Sequence, residues 1–112
     1  MANKSLLMIL KSRPHTTLNS YEALRVAVGL WEHSVNLLWM GDGVYSLLRE
    51  ADHGLTEQFH RDLPDLEIEA YAEATALEVR GLTAEDLIPG VEPIGDEEVA
   101  DLLLGADASF VF

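Results

Sequence analysis

An α/β domain on a parallel, doubly wound sheet is what this sequence predicts. Three observations carry that expectation. "SLLMILK" (5–11) is a continuous apolar run bounded by charge, as strands buried on both faces are, and "SVNLLWM" (34–40) reads as a second buried strand. Segments with helical periodicity alternate with such strands down the chain, which is the pattern of βαβ units. Finally, 48% of the 112 residues are apolar, enough for the core of one domain spanning 1–112.

The elements follow in order. Residues 5–11 form the first strand, and "RPHTT" is the loop after it. In "LNSYEALRVAVGLWEH", Leu24, Ala27, Val28 and Trp31 fall at i, i+3, i+4 and i+7, one face of an amphipathic helix. Asn19, three residues before Glu22, makes an Asn version of a capping box. Gly29 inside this helix reads as a point of close packing. Residues 34–40 are the second strand. Gly41-Asp42-Gly43 then turns the chain into a short helix from Val44 to about Glu50. A further helix is expected over 54–63, with Leu55, Phe59 and Leu63 spaced four apart, and Pro64 ends it.

"LEIEAYAEATALEVRG" is ambiguous, because Ala and Glu favour helix while Leu66, Ile68, Ala70 and Ala72 alternate with polar residues at strand period. It divides into a strand at 66–72 and a helix at 74–80, stopped by Gly81. Thr83 caps a helix in "TAEDLI", with Asp86 three residues on. "VEPI" (91–94) is a short strand. In "DEEVADLLLG", Asp96 is the cap, Val99, Leu102 and Leu103 face inward, and Gly105 is the stop. "SFVF" closes the chain as a final strand.

Composition excludes several chemistries. There is no cysteine, so the chain has no disulfides, thiol catalysis, persulfide carriage or thiolate metal sites. The net charge is −13. It is lopsided, with +1 over residues 1–48 and −14 over residues 49–112. Phosphate binding needs clustered Lys and Arg, so direct nucleic-acid and membrane-surface partners are not expected. The acid has two readings: a solvated surface, as charge runs usually are, or a face that docks on a basic protein. The apolar runs are too short for a transmembrane helix or a signal peptide, and a cytoplasmic protein is expected.

Read together, a strand, a Pro-containing loop, a helix carrying "EAL", and an apolar strand running into "GDGVYSLL" form a recognisable order. "ALEVRGL", "LIPGVEPI", "DEEVADLLLGAD" and a terminal apolar strand complete it. This order resembles the DsrE/DsrF family of sulfur-relay proteins, most of all its DsrF/TusC-type members. The resemblance implies a flavodoxin-like three-layer sandwich with a five-stranded, mainly parallel sheet. It also implies a homo-oligomer, trimer or hexamer, or a hetero-oligomer with cysteine-bearing relatives. In the family, sulfur travels as a cysteine persulfide, toward tRNA thiolation or through sulfur oxidation. The sulfur-carrier position just after the third strand corresponds to about Glu73. A carboxylate cannot hold a persulfide, so the resemblance implies a non-catalytic subunit or homologue acting through assembly.

The candidate sites are weighed beside this. Gly41-Asp42-Gly43 has neither a third glycine nor a Walker lysine, and reads as a turn in which Asp42 caps the following helix. The loop "SRPHTTLNSYE" leaves the end of the first strand near the expected switch point of strand order. There His15, Thr16, Thr17 and Asn19, with Asp42 and Tyr45 nearby, form the candidate surface of an alternative function, a small-ligand-binding module. His15 with Asp42 as an acid–base pair is a third reading. No His pair has metal-site spacing, and no cofactor, metal or catalytic residue is assigned. Trp31, Trp39 and Tyr45 are expected in the core or at subunit contacts.

Overall fold

The computed structural model describes residues 4–13, 19–30, 32–49 and 61–112, with the backbone alone for residues 19, 20 and 64. Its elements are β1 (Ser5–Leu10), α1 (Asn19–Gly29), β2 (Ser34–Trp39), a 3-10 helix (Gly41–Leu47), β3 (Glu69–Glu73), α2 (Ala74–Val79), β4 (Val91–Ile94), α3 (Asp96–Gly105) and β5 (Ala108–Val111). The strands form one sheet in the order β4-β3-β2-β1-β5, and every pairing is parallel. The expected α/β class and five-stranded parallel sheet are what the chain adopts.

That order fixes the layers. From β1 to β4 the chain steps across the sheet in one direction, and then β5 returns to the far side of β1. Parallel crossovers are right-handed, so reversing direction moves the connection to the opposite face. Side-chain packing follows this rule. Leu6, Met8 and Leu10 of β1 and Val35, Leu37 and Trp39 of β2 pack with Ala23, Leu24 and Ala27 of α1 and with Ala76 and Leu77 of α2. The alternate residues Leu7, Ile9 and Leu38 pack on the other face, under Val99 and Leu102 of α3. Both faces of β1 and β2 are therefore buried, which explains why their sequences are apolar without alternation.

Several expectations shift. The segment from Gly41 is a 3-10 helix ending at Leu47, rather than a helix from Val44 to Glu50. β3 starts at Glu69, not Leu66, because Pro64–Leu66 make a 3-10 turn and Glu67 has a left-handed φ of 58°. Its division from the following helix falls where the pattern placed it, and Gly81 (φ 69°) is the stop. "TAEDLI" gives only the 3-10 turn Ala84–Asp86, since Pro89 and Gly90 follow at once. Its box is still present in the Thr83 N–H that donates to Asp86 Oδ2 at 2.8 Å.

The cap of α3 is Gly95, one residue before Asp96, and its N–H donates to Glu98 Oε2 at 2.7 Å. Leu103 is exposed, because Val99, Leu102 and Ala106 already fill the inward stripe. Gly29 ends α1 with open space around it and marks no close packing. Trp31, and residues 54–60 of the helix expected over 54–63, lie outside the described residues. Leu63 at the end of that segment is buried.

Candidate functional site

The C-terminal ends of β1, β2 and β3 meet at one place, where open parallel sheets gather their polar residues. Each contributes through the residues that follow it. Arg13 lies three positions past β1. Gly41 and Asp42 open the 3-10 helix past β2. Glu73 is the last residue of β3, and α2 returns the chain so that Arg80 faces Asp42.

In Gly-Asp-Gly each residue has a separate physical reason. Gly41 sits at φ 52°, a conformation that costs a residue with a Cβ. Gly43 passes so close to β1 that an added Cβ would lie 2.1 Å from the Leu10 carbonyl oxygen. Asp42 does not cap the helix, whose N-cap residue is Met40 with no side-chain cap. Its carboxylate instead joins two cations. Oδ2 accepts from Arg13 Nε at 2.8 Å, and Oδ1 accepts from Arg80 Nη2 at 2.7 Å. Two guanidinium partners outbid the helix N–H groups, because charge-assisted bonds are the stronger ones. The reading of Asp42 as a cap is corrected accordingly.

The two arginines differ in setting. Arg13 is 70% exposed, whereas Arg80 is 19% exposed. Arg80 also donates from Nη1 to the Ala76 carbonyl at 3.0 Å, and its guanidinium carbon lies 5.6 Å from the centre of the Tyr45 ring. That distance is within cation–π range. Arg80 Nε is buried with no partner among the described residues. The Arg13 guanidinium, and then that of Arg80, hold the Asp42 carboxyl below the usual carboxylate range. Both of its oxygens are taken up by arginines. Glu73 completes the cluster, with Oε1 accepting the Gly41 N–H at 3.2 Å.

The structure thus brings Asp42, Tyr45 and Glu73 together and adds Arg13 and Arg80, which the sequence reading did not single out. Both arginines carry a signal only in hindsight: Arg13 stands just past β1 and Arg80 just past the helix that follows β3. Asn19 is the first residue of α1. His15, Thr16 and Thr17, in the middle of the loop on which a small-ligand site would rest, lie outside the described residues. Trp39 is in the core, while Tyr45 lies at the surface beside Arg80. Among the described residues no three His, Asp or Glu side chains gather closely enough to hold a metal ion, and no helix is long and apolar enough to cross a membrane.

Comparison with known proteins places this edge in a context. The chain is 30% identical to the intracellular sulfur oxidation protein DsrF of Allochromatium vinosum, over 97% of this chain and 96% of that protein. Its fold superposes on the ychN protein of E. coli with a TM-score of 0.87 and 25% identity, covering 97% of this chain and 99% of that one. MTH1491 of Methanobacterium thermoautotrophicum, a protein of unknown function, shares the fold at a TM-score of 0.82 and 13% identity, over 98% of this chain and all of that one. The DsrE/DsrF-like family matches residues 4–112. On that match over nearly its whole length, and on its identity to DsrF, the chain belongs to the DsrE/DsrF-like family.

Proposed function

We propose that this chain is a non-catalytic, cysteine-free subunit of a cytoplasmic sulfur relay. It acts through assembly into a trimer or hexamer with cysteine-bearing relatives that carry the sulfur. The observation that carries the reading is Glu73. The resemblance puts the family's sulfur carrier at this position, and the chain has no cysteine anywhere. The carboxylate is tied to the turn after β2 through the Gly41 N–H. It holds the edge of the sheet in shape while another chain carries the sulfur. Similarity to an intracellular sulfur oxidation protein supports sulfur oxidation, over tRNA thiolation, as the process served.

Glu73→Cys tests the assignment of the position. The new thiolate would attack the terminal sulfur of a cysteine desulfurase persulfide, and the desulfurase cysteine would leave as a thiolate. One sulfur atom moves, and no outside oxidant is needed. Intact-mass measurement should show the variant gaining the mass of one sulfur. Val79→Cys, on an exposed position at the end of α2, should gain far less. If folded Glu73→Cys is labelled no faster than Val79→Cys, residue 73 is not a former carrier position.

A further inference from the structure

Parallel sheets are covered by helices on both faces. In this chain the face opposite α1 and α2 has one helix, α3, among the described residues. α3 leaves the C-terminal end of β4 through Gly95. It delivers the chain to the N-terminal end of β5 at Asp107, whose N–H donates to the Ser5 carbonyl at 2.7 Å. It therefore crosses this face on a diagonal. Its inward side chains Val99, Leu102 and Ala106 pack with Leu7, Ile9, Leu38 and Ile94. The N-terminal corner of β2, β3 and β4 lies off that diagonal.

Strand alternation says what the corner presents. Leu38 and Ile94 face α3, so Asn36, two residues before Leu38, and Glu92, two before Ile94, are on the same side. Tyr71 packs with this group, so Glu69 shares the side as well. The register sets Asn36 beside Glu69 and Tyr71 beside Glu92. Glu69 and Glu92 are exposed, and Asn36 and Tyr71 are half-buried. The Tyr71 ring thus has one carboxylate along its own strand and another on the next. Burial, and then the charges of Glu69 and Glu92, hold its phenol above the ordinary value. Among the described residues neither carboxylate has an ion pair or a hydrogen bond. β2, β3, β4 and α3, which frame the corner, contain no Lys, Arg or His.

We propose that this open corner docks an arginine-bearing helix of a partner protein, with one guanidinium seated on Tyr71 between Glu69 and Glu92. A helix is the element that completes the cover of a parallel sheet. Charge complementarity decides what it carries. Two unpaired carboxylates on one face repel each other, and a cation between them relieves both. Guanidinium is planar, so it can lie against the phenol and still give paired N–H bonds to a carboxylate, whereas a lysine ammonium is a point charge. A second copy of this chain would bring its own −13 to the contact, and an acidic lipid surface or nucleic acid would be repelled for the same reason. The inference goes beyond the sulfur-relay reading and does not depend on it.

The test uses the full chain, labelled with 15N, titrated with a synthetic amphipathic helical peptide that has one central Arg on its apolar face. Two counterparts carry Lys or Glu at that position. The Arg peptide should shift amide signals in β3, in β4 and around Asn36. The Lys peptide should bind about tenfold more weakly, and the Glu peptide should not bind. The double variant Glu69→Gln/Glu92→Gln should weaken the Arg peptide about tenfold or more. Both positions are exposed, so this variant should keep the wild-type fold by far-UV circular dichroism. Tyr71→Leu should erase the preference for Arg over Lys. Equal binding of the Arg and Glu peptides, shifts confined to other elements, no shift from any of the peptides, or a concentration-dependent dimer that protects the β3 amides in their absence would each overturn the proposal.

Discussion

Asp42 is where the residue scale is most informative, because one carboxylate ties the loop after β1 to the end of α2. Asp42→Asn leaves Arg13 and Arg80 without their shared anion, and Arg80, largely buried, has little water to turn to. The variant should melt at a lower temperature than the wild type at neutral pH. The pH dependence has a definite sign. The folded state holds the Asp42 carboxyl below its ordinary value, so its contribution is fully present above about pH 4, the unfolded carboxyl's range. It is lost as pH falls through the lower folded value. Thermal melts should therefore show a constant gap between wild type and Asp42→Asn from neutral pH down to about pH 4, closing below it. A gap that widens in acid would contradict the ion-pair assignment. This pairing was not legible in the sequence. Arg13 and Arg80 stand 67 positions apart, and only the fold brings both to Asp42. A local rule, an Asp before a helix, pointed to a cap instead.

Elements were more legible than contacts, for a physical reason. β1 and β2 are buried on both faces, so past their opening serines every position but Asn36 is apolar and the signal is dense. β3 blurred at its start, because the left-handed Glu67 breaks the extended chain at a residue type that rarely does so. The 3-10 helix after β2 was read one turn late, since its first residues were assigned to a turn. Its tight seat against β1 gives a sharp expectation. Gly43→Ala should cost about 1–3 kcal/mol or more by urea denaturation, because the new methyl meets backbone and not a movable side-chain end. Gly29→Ala, in open space, should be neutral or slightly stabilising. Equal costs at the two glycines would contradict the packing described. On the face covered by α3, Leu38→Ala should cost about 2–5 kcal/mol, since Leu38 has no exposure there.

At the scale of the whole molecule, the net charge of −13 sits mainly in the second half of the chain, while apolar residues stay exposed on α3 and β5. A surface of one sign repels itself, and salt screens that repulsion. The melting temperature should rise with added sodium chloride at neutral pH, even though the Asp42 pairs weaken. A fall would mean that specific ion pairs outweigh the net charge. The central claim is that this chain works in an assembly whose sulfur is carried by other chains. The measurement that tests it most directly is native mass spectrometry of the protein purified gently from its own cells and treated with a cysteine desulfurase and cysteine. Complexes containing cysteine-bearing relatives of similar size are expected, with the added sulfur on those chains. A protein that comes through as a monomer, or only with copies of itself and with no sulfur bound, would contradict it.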